Sequence, residues 1–337
     1  MYLHAVTIMA ANLPFPHEIK EVTDEEDKIV KKYYKDYIRP FVRVGPHGYL
    51  SMATYGDHAA DIYNLEVRPD DIWVIAFSRS GTTWLQELVW LLANNLDYEG
   101  ASSIPLTKRY AFIEYPTLAS EVKKYERPAG KPEHGATVDD FRNFHTVPSP
   151  RFVKTHLPLS LLPPKLLDTA KVLYIARDPR DVAVSFHFMH KLFRYFDEGV
   201  EFKEFWELFK KDLLMHMPIF PHIKESWAVR DHPNMMFLFY EEMQKSLRSV
   251  IDKVSAFLGK KYTDEQKDKL AEHLTFENMK KSSNFKFGKS DDKDSEMKFM
   301  RKGKSGNWVN YFDTEEMRQE AEEYFEKHLK NSDLKFP

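Results

Sequence analysis

Four short apolar runs constrain this chain more than anything else in it: Ile72–Phe77, Phe152–Thr155, Val172–Ala176 and Met235–Tyr240. Each is four to six residues long and rich in β-branched or aromatic side chains. Runs this short and this uniformly apolar read as strands covered on both faces. Helical patterns separate them. Trp84, Leu85, Leu88, Val89, Leu91 and Leu92 make an apolar face over Thr82–Leu96. Asp178 followed by Pro179 reads as an N-cap and a proline at the first helical position, opening a helix through about Met189. Thr263 to Gln266 has the spacing of a capping box ahead of a helix over Asp264–Leu274, and a last helix is expected over Thr314–Leu329. Strands alternating with helices predict an α/β fold with a mostly parallel central sheet flanked by helices. Residues 117–149, rich in Pro, Gly and charge, read as a long connection or lid.

Composition narrows the function. Lys and Arg number 49 against 52 Asp and Glu, a formal net charge of −3. No global basic field exists, so nucleic acid is not an expected partner, whereas a small anion needs only a local cluster. Cysteine is absent, which removes disulfides, Cys–zinc sites and thiol catalysis together. No apolar run approaches the ~18 residues of a membrane span, so no membrane insertion is expected. The start MYLHAVTIMAANLPFP has no basic n-region, so residues 1–16 are expected as a flexible tail and the cytoplasm as the compartment. A chain of 337 residues is long enough for two domains, but the candidate site below draws on nearly all of it, so 17–337 reads as one.

The sharpest chemical signal is the segment Ile72–Trp84, a strand, a polar turn and a helix start. It reads as a P-loop-like phosphate-binding strand–loop–helix. A turn at a helix N-terminus presents unpaired N–H groups and the positive end of the helix dipole. Gly81 lets backbone approach an oxyanion, Thr82 and Thr83 add hydroxyl donors, and Arg79 adds fixed charge. The G-x-x-x-x-G-K-[ST] spacing of nucleoside triphosphatases is missing. One strand later, period-2 alternation puts Lys154 and His156 on the same side at the strand's carboxyl end, where ligands of open α/β sheets bind. A histidine can accept a proton near neutral pH, and a lysine can neutralise developing negative charge. Arg177 ends the third strand, and Ser185 follows about two helical turns on; guanidinium plus hydroxyl suits a phosphate monoester. Arg180 and Asp181 beside them could equally be a surface charge cluster. Lys298, Arg301, Lys302 and Lys304 crowd a loop that contains Gly303 and Gly306, which reads either as a phosphate wrap or as a solvated basic loop.

Together these segments resemble the cytosolic sulfotransferase family, which transfers a sulfonate from 3′-phosphoadenosine 5′-phosphosulfate (PAPS) to an acceptor. The matching pieces are SRSGTTW (78–84), KTHLP (154–158), RDPRDVAVSFHF (177–188), FLFYEEM (237–243), LTFENM (274–279) and FMRKGKSGNW (299–308), in the family's order. LPFP (13–16), KTHLPLSLLPP and RDPRDVAVS look most like the insect branch that contains retinol dehydratase. The resemblance implies that Arg79, Ser80, Gly81, Thr82, Thr83 and Trp84 cradle the 5′-phosphosulfate, with Trp84 also stacking on adenine. Arg177 and Ser185 would hold the 3′-phosphate with Arg301, Lys302 and Gly303. Tyr240, Thr275, Phe276, Met279, Phe299 and Met300 would frame the purine. His156 would be the general base and Lys154 would stabilise the sulfonate oxygens, with no metal and no covalent intermediate. Phe112 and Phe188 match acceptor-pocket positions, though aromatic core packing would account for them equally.

The expected reaction is therefore sulfonate transfer to the hydroxyl of a small apolar acceptor such as a phenol, a retinoid or a steroid-like compound. A retinol dehydratase-like sulfonation and elimination, or a nucleotide kinase of similar architecture, are the alternatives. The chain also departs from the family. Arg79 stands where most members carry Lys, exchanging a compact ammonium for a planar fork. Val309, Asp313-Thr314 and Arg318 break the family's short dimer motif, so the resemblance leaves the oligomeric state open.

Overall fold

The structure is a computed structural model that describes residues 13–34, 37, 39–119, 140–197, 199–282 and 299–337. Five strands form a wholly parallel sheet: β4 (Ile72–Ile75), β5 (Ala111–Phe112), β6 (Phe152–Thr155), β7 (Lys171–Ala176) and β8 (Met235–Phe239), in the order β5-β6-β4-β7-β8. The four apolar runs are all strands: β6 has the expected bounds, β7 starts one residue earlier, and β4 and β8 end one or two residues short. The sheet is buried on both faces. Trp73, Ile75, Val172 and Tyr174 face one apolar cluster, and Val74, Leu173, Ile175 and Leu238 face the other.

The strand order decides where a ligand can sit. The chain leaves β4 toward one edge, returns through β6 and then crosses to β7 on the other side. The connections on either side of β4 therefore diverge, opening a crevice at the carboxyl ends of the strands. All five strands end there, and each delivers a polar side chain from its end or from the residues just beyond it.

Local signals hold the helices as expected. Thr82–Ala93 follows Gly81; Pro179–Leu192 is capped by the Asp178 carboxylate with proline in its first turn; Asp264–His273 has the full Thr263–Gln266 capping box; and Glu315–Leu329 is capped by Thr314. Among the strands, two features were not expected. One is strand β5, only two residues long. The other is an antiparallel sheet of β1 (Ile19–Glu21), β2 (Phe41–Val44) and β3 (Tyr49–Met52), whose Val44, Tyr49, Leu50 and Met52 pack into the larger core.

Of the expected tail, residues 1–12 lie outside the described residues. Leu13 exchanges two backbone bonds with the Asn64 side chain at 2.8 Å, and Phe15 packs edge-on to Tyr63. Of the expected connection, 120–139 lie outside the described residues, and Phe144–Thr146 is a single helical turn. No described helix is long and apolar enough to cross a membrane.

Candidate active site

The turn after β4 alternates left-handed and ordinary backbone: Arg79 has φ 71° and Gly81 φ 104°. Such alternation turns successive N–H groups toward one concavity. Gly81 is also the N-cap of the next helix and offers no side-chain cap; Trp84 N–H turns back to the Gly81 carbonyl at 3.0 Å, which leaves the helix start at Thr82 and Thr83 to face an anion. A β-carbon on Gly81 would lie 2.6 Å from the Tyr240 ring, so only glycine fits. Ser80 is fully buried, and its hydroxyl has no partner among the described residues.

Arg79 accepts its left-handed backbone because its side chain is anchored. Nε donates to Ser185 Oγ at 3.1 Å, Nη2 donates to the Phe299 carbonyl at 2.8 Å, and the guanidinium lies 4.3 Å over the Phe299 ring. Burial, and then the neighbouring Arg177 and Arg301, push its pKa down to about 10. Arg301 is likewise lowered, chiefly by burial. Three guanidiniums thus share one partly desolvated space, an arrangement that calls for a multiply charged anion.

The third expected constellation resolves into two parts. Arg180 pairs with Asp178 at 2.6 Å, while Asp181 is buried and accepts the N–H groups of Gly306 at 2.7 Å and Trp308 at 3.0 Å. Asp181 therefore ties the C-terminal basic loop to the helix that follows β7. Arg177 lies over the Tyr240 ring at 4.3 Å and donates to the Lys304 carbonyl at 3.0 Å, while its buried Nε has no partner among the described residues. Gln244 clamps the same loop from β8's side, donating to the Gly303 carbonyl and accepting from Ser305 N–H. Lys298 and the acidic run Asp291–Asp294 lie outside the described residues.

The positions expected to frame a purine converge. Trp84 packs edge-on to Tyr240 with centroids 5.5 Å apart, and its indole N–H donates to the Leu274 carbonyl. Thr275 caps the helix Phe276–Lys281. Met279 is buried in the cluster against which Trp84 and Met300 pack. Gly303, at φ 62°, passes so close to Phe276 that a β-carbon would sit 2.2 Å from the ring. Lys302 reaches over Tyr311 with its ammonium 5.3 Å from the ring centre.

At the end of β6, His156 Nδ1 stands 2.7 Å from the Ala76 carbonyl. A carbonyl can only accept, so Nδ1 carries the proton and Nε2 carries the lone pair. Burial first, then the Lys154 ammonium, hold this imidazole well below the usual histidine pKa. Lys154 is pushed down to about 8 by burial, with Glu114 opposing and Arg79 adding to the shift. Its ammonium lies 4.0 Å over the Phe112 ring, which also packs edge-on to His156. Phe188 stands on the other side of the site, under Arg301 at 4.2 Å and against Tyr311.

Several site residues escaped the sequence reading. Glu114, just past β5, is buried, and its Oε1 accepts the His156 backbone N–H at 2.6 Å. Burial raises it to about 7. Gln244 and Tyr311 position the basic loop, and His216 lies beside His156. Their only sequence signal was adjacency to a matched motif, and His216 lacks even that. Among the described residues, no group of three or more His, Cys, Asp or Glu is placed to hold a metal ion.

A parallel sheet whose central strand ends in an anion cradle, facing a neutral histidine beside a lysine, defines a group-transfer enzyme for a phosphate-rich cosubstrate. The comparisons give the family. A sulfotransferase domain matches residues 69–333. The luciferin sulfotransferase of Photinus pyralis is 33% identical over 333 residues, covering 94% of this chain and 87% of that protein. Sulfotransferase 1E1 of Bos taurus is 31% identical over 280 residues, 82% of this chain and 89% of that one. Retinol dehydratase in a complex with retinol and PAP superposes with a TM-score of 0.88 at 40% identity, covering 96% of this chain and all of that one, 100%. The same enzyme has also been crystallised with androsterone and PAP. The chain belongs to the sulfotransferase family and is a PAPS-dependent sulfotransferase. This sets aside the nucleotide-kinase alternative.

Proposed function

We propose that this enzyme sulfonates the hydroxyl of a small apolar acceptor, a phenol, retinoid or steroid-like compound, with His156 as general base. The observation that carries this is the Nδ1–Ala76 hydrogen bond at 2.7 Å, which fixes the tautomer that leaves Nε2 able to take the acceptor's proton. PAPS, when bound, supplies the sulfonate. Arg79 to Trp84 would hold its 5′ end, where the buried Ser80 hydroxyl awaits a partner. Arg177, Ser185, Arg301, Lys302 and Gly303 would hold the 3′-phosphate, and the partnerless Arg177 Nε fits that role. Tyr240, Thr275, Phe276, Met279, Phe299 and Met300 would frame the purine. Lys154 neutralises negative charge beside the base. Phe112 offers the acceptor an apolar wall there, and Phe188 offers one on the Arg301 side.

His156→Ala should lower turnover by roughly 10²–10⁴ while PAP still binds. Near wild-type turnover would refute the base assignment. The likeness to retinol dehydratase, at 40% identity over nearly the whole chain, supports a second reading. An allylic alcohol would be sulfonated and the sulfate then expelled, leaving a dehydrated product. Incubation with retinol and PAPS decides it: recovery of stable retinyl sulfate or unchanged retinol sinks the elimination. The cytoplasm is assigned on the resemblance to cytosolic sulfotransferases alone.

A further inference from the structure

Beside His156 stands a second imidazole that the reaction as derived does not use. His216 lies in the turn between the helices Phe202–Lys210 and Ile219–Ala228. Its backbone φ is 71°, a region that side-chain-bearing residues rarely adopt. A two-way bridge to β3 holds it there: His216 N–H donates to the Leu50 carbonyl at 2.8 Å, and Leu50 N–H donates to the Met217 carbonyl at 2.7 Å. The turn delivers the imidazole to Ser78, with Nδ1 3.2 Å from Ser78 Oγ. Ser78 immediately precedes Arg79. The His216 ring centre is 5.9 Å from that of His156, the planes tilted by 35°.

The buried histidines fall into two kinds. His190 and His222 are 0% exposed and have both ring nitrogens engaged. His187 has one nitrogen engaged and the other sealed inside the protein. His156 and His216 are each 9% exposed, and each has one nitrogen engaged, by Ala76 and by Ser78. Two neighbouring imidazoles, 5.9 Å apart between ring centres, are thus both pinned through Nδ1 and both keep some exposure. Burial keeps His216 neutral, with its pKa down to about 3.

We propose that His216 is an acceptor-positioning residue: the Ser78 hydroxyl donates to its Nδ1, and its Nε2–H donates to the oxygen of the hydroxyl that His156 deprotonates. This rests on the sulfotransferase reading with His156 as base. His216 neither gains nor loses a proton. It fixes where the acceptor oxygen stands, and Ser78 ties that position to the phosphate loop. A hydroxyl is the group that answers both imidazoles at once, giving its proton to His156 and accepting from His216.

The test compares His216→Phe, which fills the space without a donor, with His216→Gln, which keeps an N–H. His216→Phe should raise the acceptor KM by roughly five- to tenfold, the worth of one neutral hydrogen bond. It should change kcat less and leave PAP affinity and melting temperature unchanged; His216→Gln should recover most of the loss. Ser78→Ala should move the acceptor KM in the same direction, and it carries the test if His216→Phe does not fold. An unmoved acceptor KM, or a KM change accompanied by lost PAP binding and a lowered melting temperature, overturns the proposal. His156→Ala measured alongside keeps the two readings apart. Turnover surviving there removes the base and the proposal with it, whereas turnover lost there with an unmoved KM in His216→Phe refutes His216 alone.

Discussion

Replacing Glu114 with glutamine removes one charge from the catalytic centre while leaving its geometry in place. The Glu114 oxygen that accepts the His156 N–H at 2.6 Å becomes an amide oxygen, which accepts equally well. What changes is Lys154. Its pKa stands at about 8 with the Glu114 carboxylate already working to raise it. Removing this opposing carboxylate lowers the ammonium pKa further, by on the order of one pH unit. The protonated lysine is the useful form, so activity falls as pH rises through its pKa. The basic limb of kcat/KM for PAPS, which reports the free enzyme, should therefore move from near 8 in the wild type to about one unit lower in Glu114→Gln. At pH 8 the variant should be down roughly fivefold. At pH 6 the two should nearly coincide, because Glu114, held at about 7, is then mostly neutral in the wild type too. A pH-independent loss would show that the Glu114 charge does not act through the titration of Lys154. An unmoved basic limb would refute the charge coupling.

Gly81→Ala should weaken PAP binding at least tenfold in calorimetry, because a left-handed non-glycine residue alone costs about 1–3 kcal/mol. The new β-carbon also meets a Tyr240 ring held between Arg177 and Trp84; unchanged affinity would mean the loop does not carry the phosphates. Arg151→Met tests the fold instead of the site. Arg151 and Asp71 are both fully buried and joined by two bonds of 2.7 and 2.6 Å, so the variant strands a buried carboxylate. Urea unfolding should show a loss of about 3–5 kcal/mol, and a loss below about 1 kcal/mol would show that solvent reaches Asp71.

What was readable in the sequence was what the chain encodes locally. The phosphate loop was legible because strand, turn and helix start fall within one short run, Ile72–Trp84. The caps at Asp178 and Thr263 were legible because the capping side chain and the N–H it accepts lie two or three residues apart. Lys154 and His156 were legible because two residues of strand put them on one side. Strand β5 was invisible because two residues have no periodicity, and Glu114 was lost with it. Strand β1, Ile19–Glu21, is exposed along its whole length, so no hydrophobic pattern announced it; pairing with Phe41–Val44 alone makes it a strand. His216 meets a serine 138 positions away through a left-handed turn, and no local rule predicts such a meeting.

The net charge of −3 and the character of the site are reconciled by where the acids sit. Arg79, Arg177 and Arg301 come from three separate loops, and each lowers or opposes the charge of another. Their nearest built-in counter-charge is Asp181, 3.9 Å from Arg177, and it is already committed to the N–H groups of Gly306 and Trp308. Asp181 thus shapes the loop without neutralising the cluster. Without a ligand the site is electrostatically under-satisfied, with repulsion held in place by the parallel sheet and by the anchoring of Arg79 to Ser185 and Phe299. Three like charges held in one partly desolvated space are offset best by a ligand that carries more than one negative charge. PAPS, charged at both its 3′ and 5′ positions, meets that condition, whereas a long polyanion would meet the acids that outnumber the bases over the whole chain.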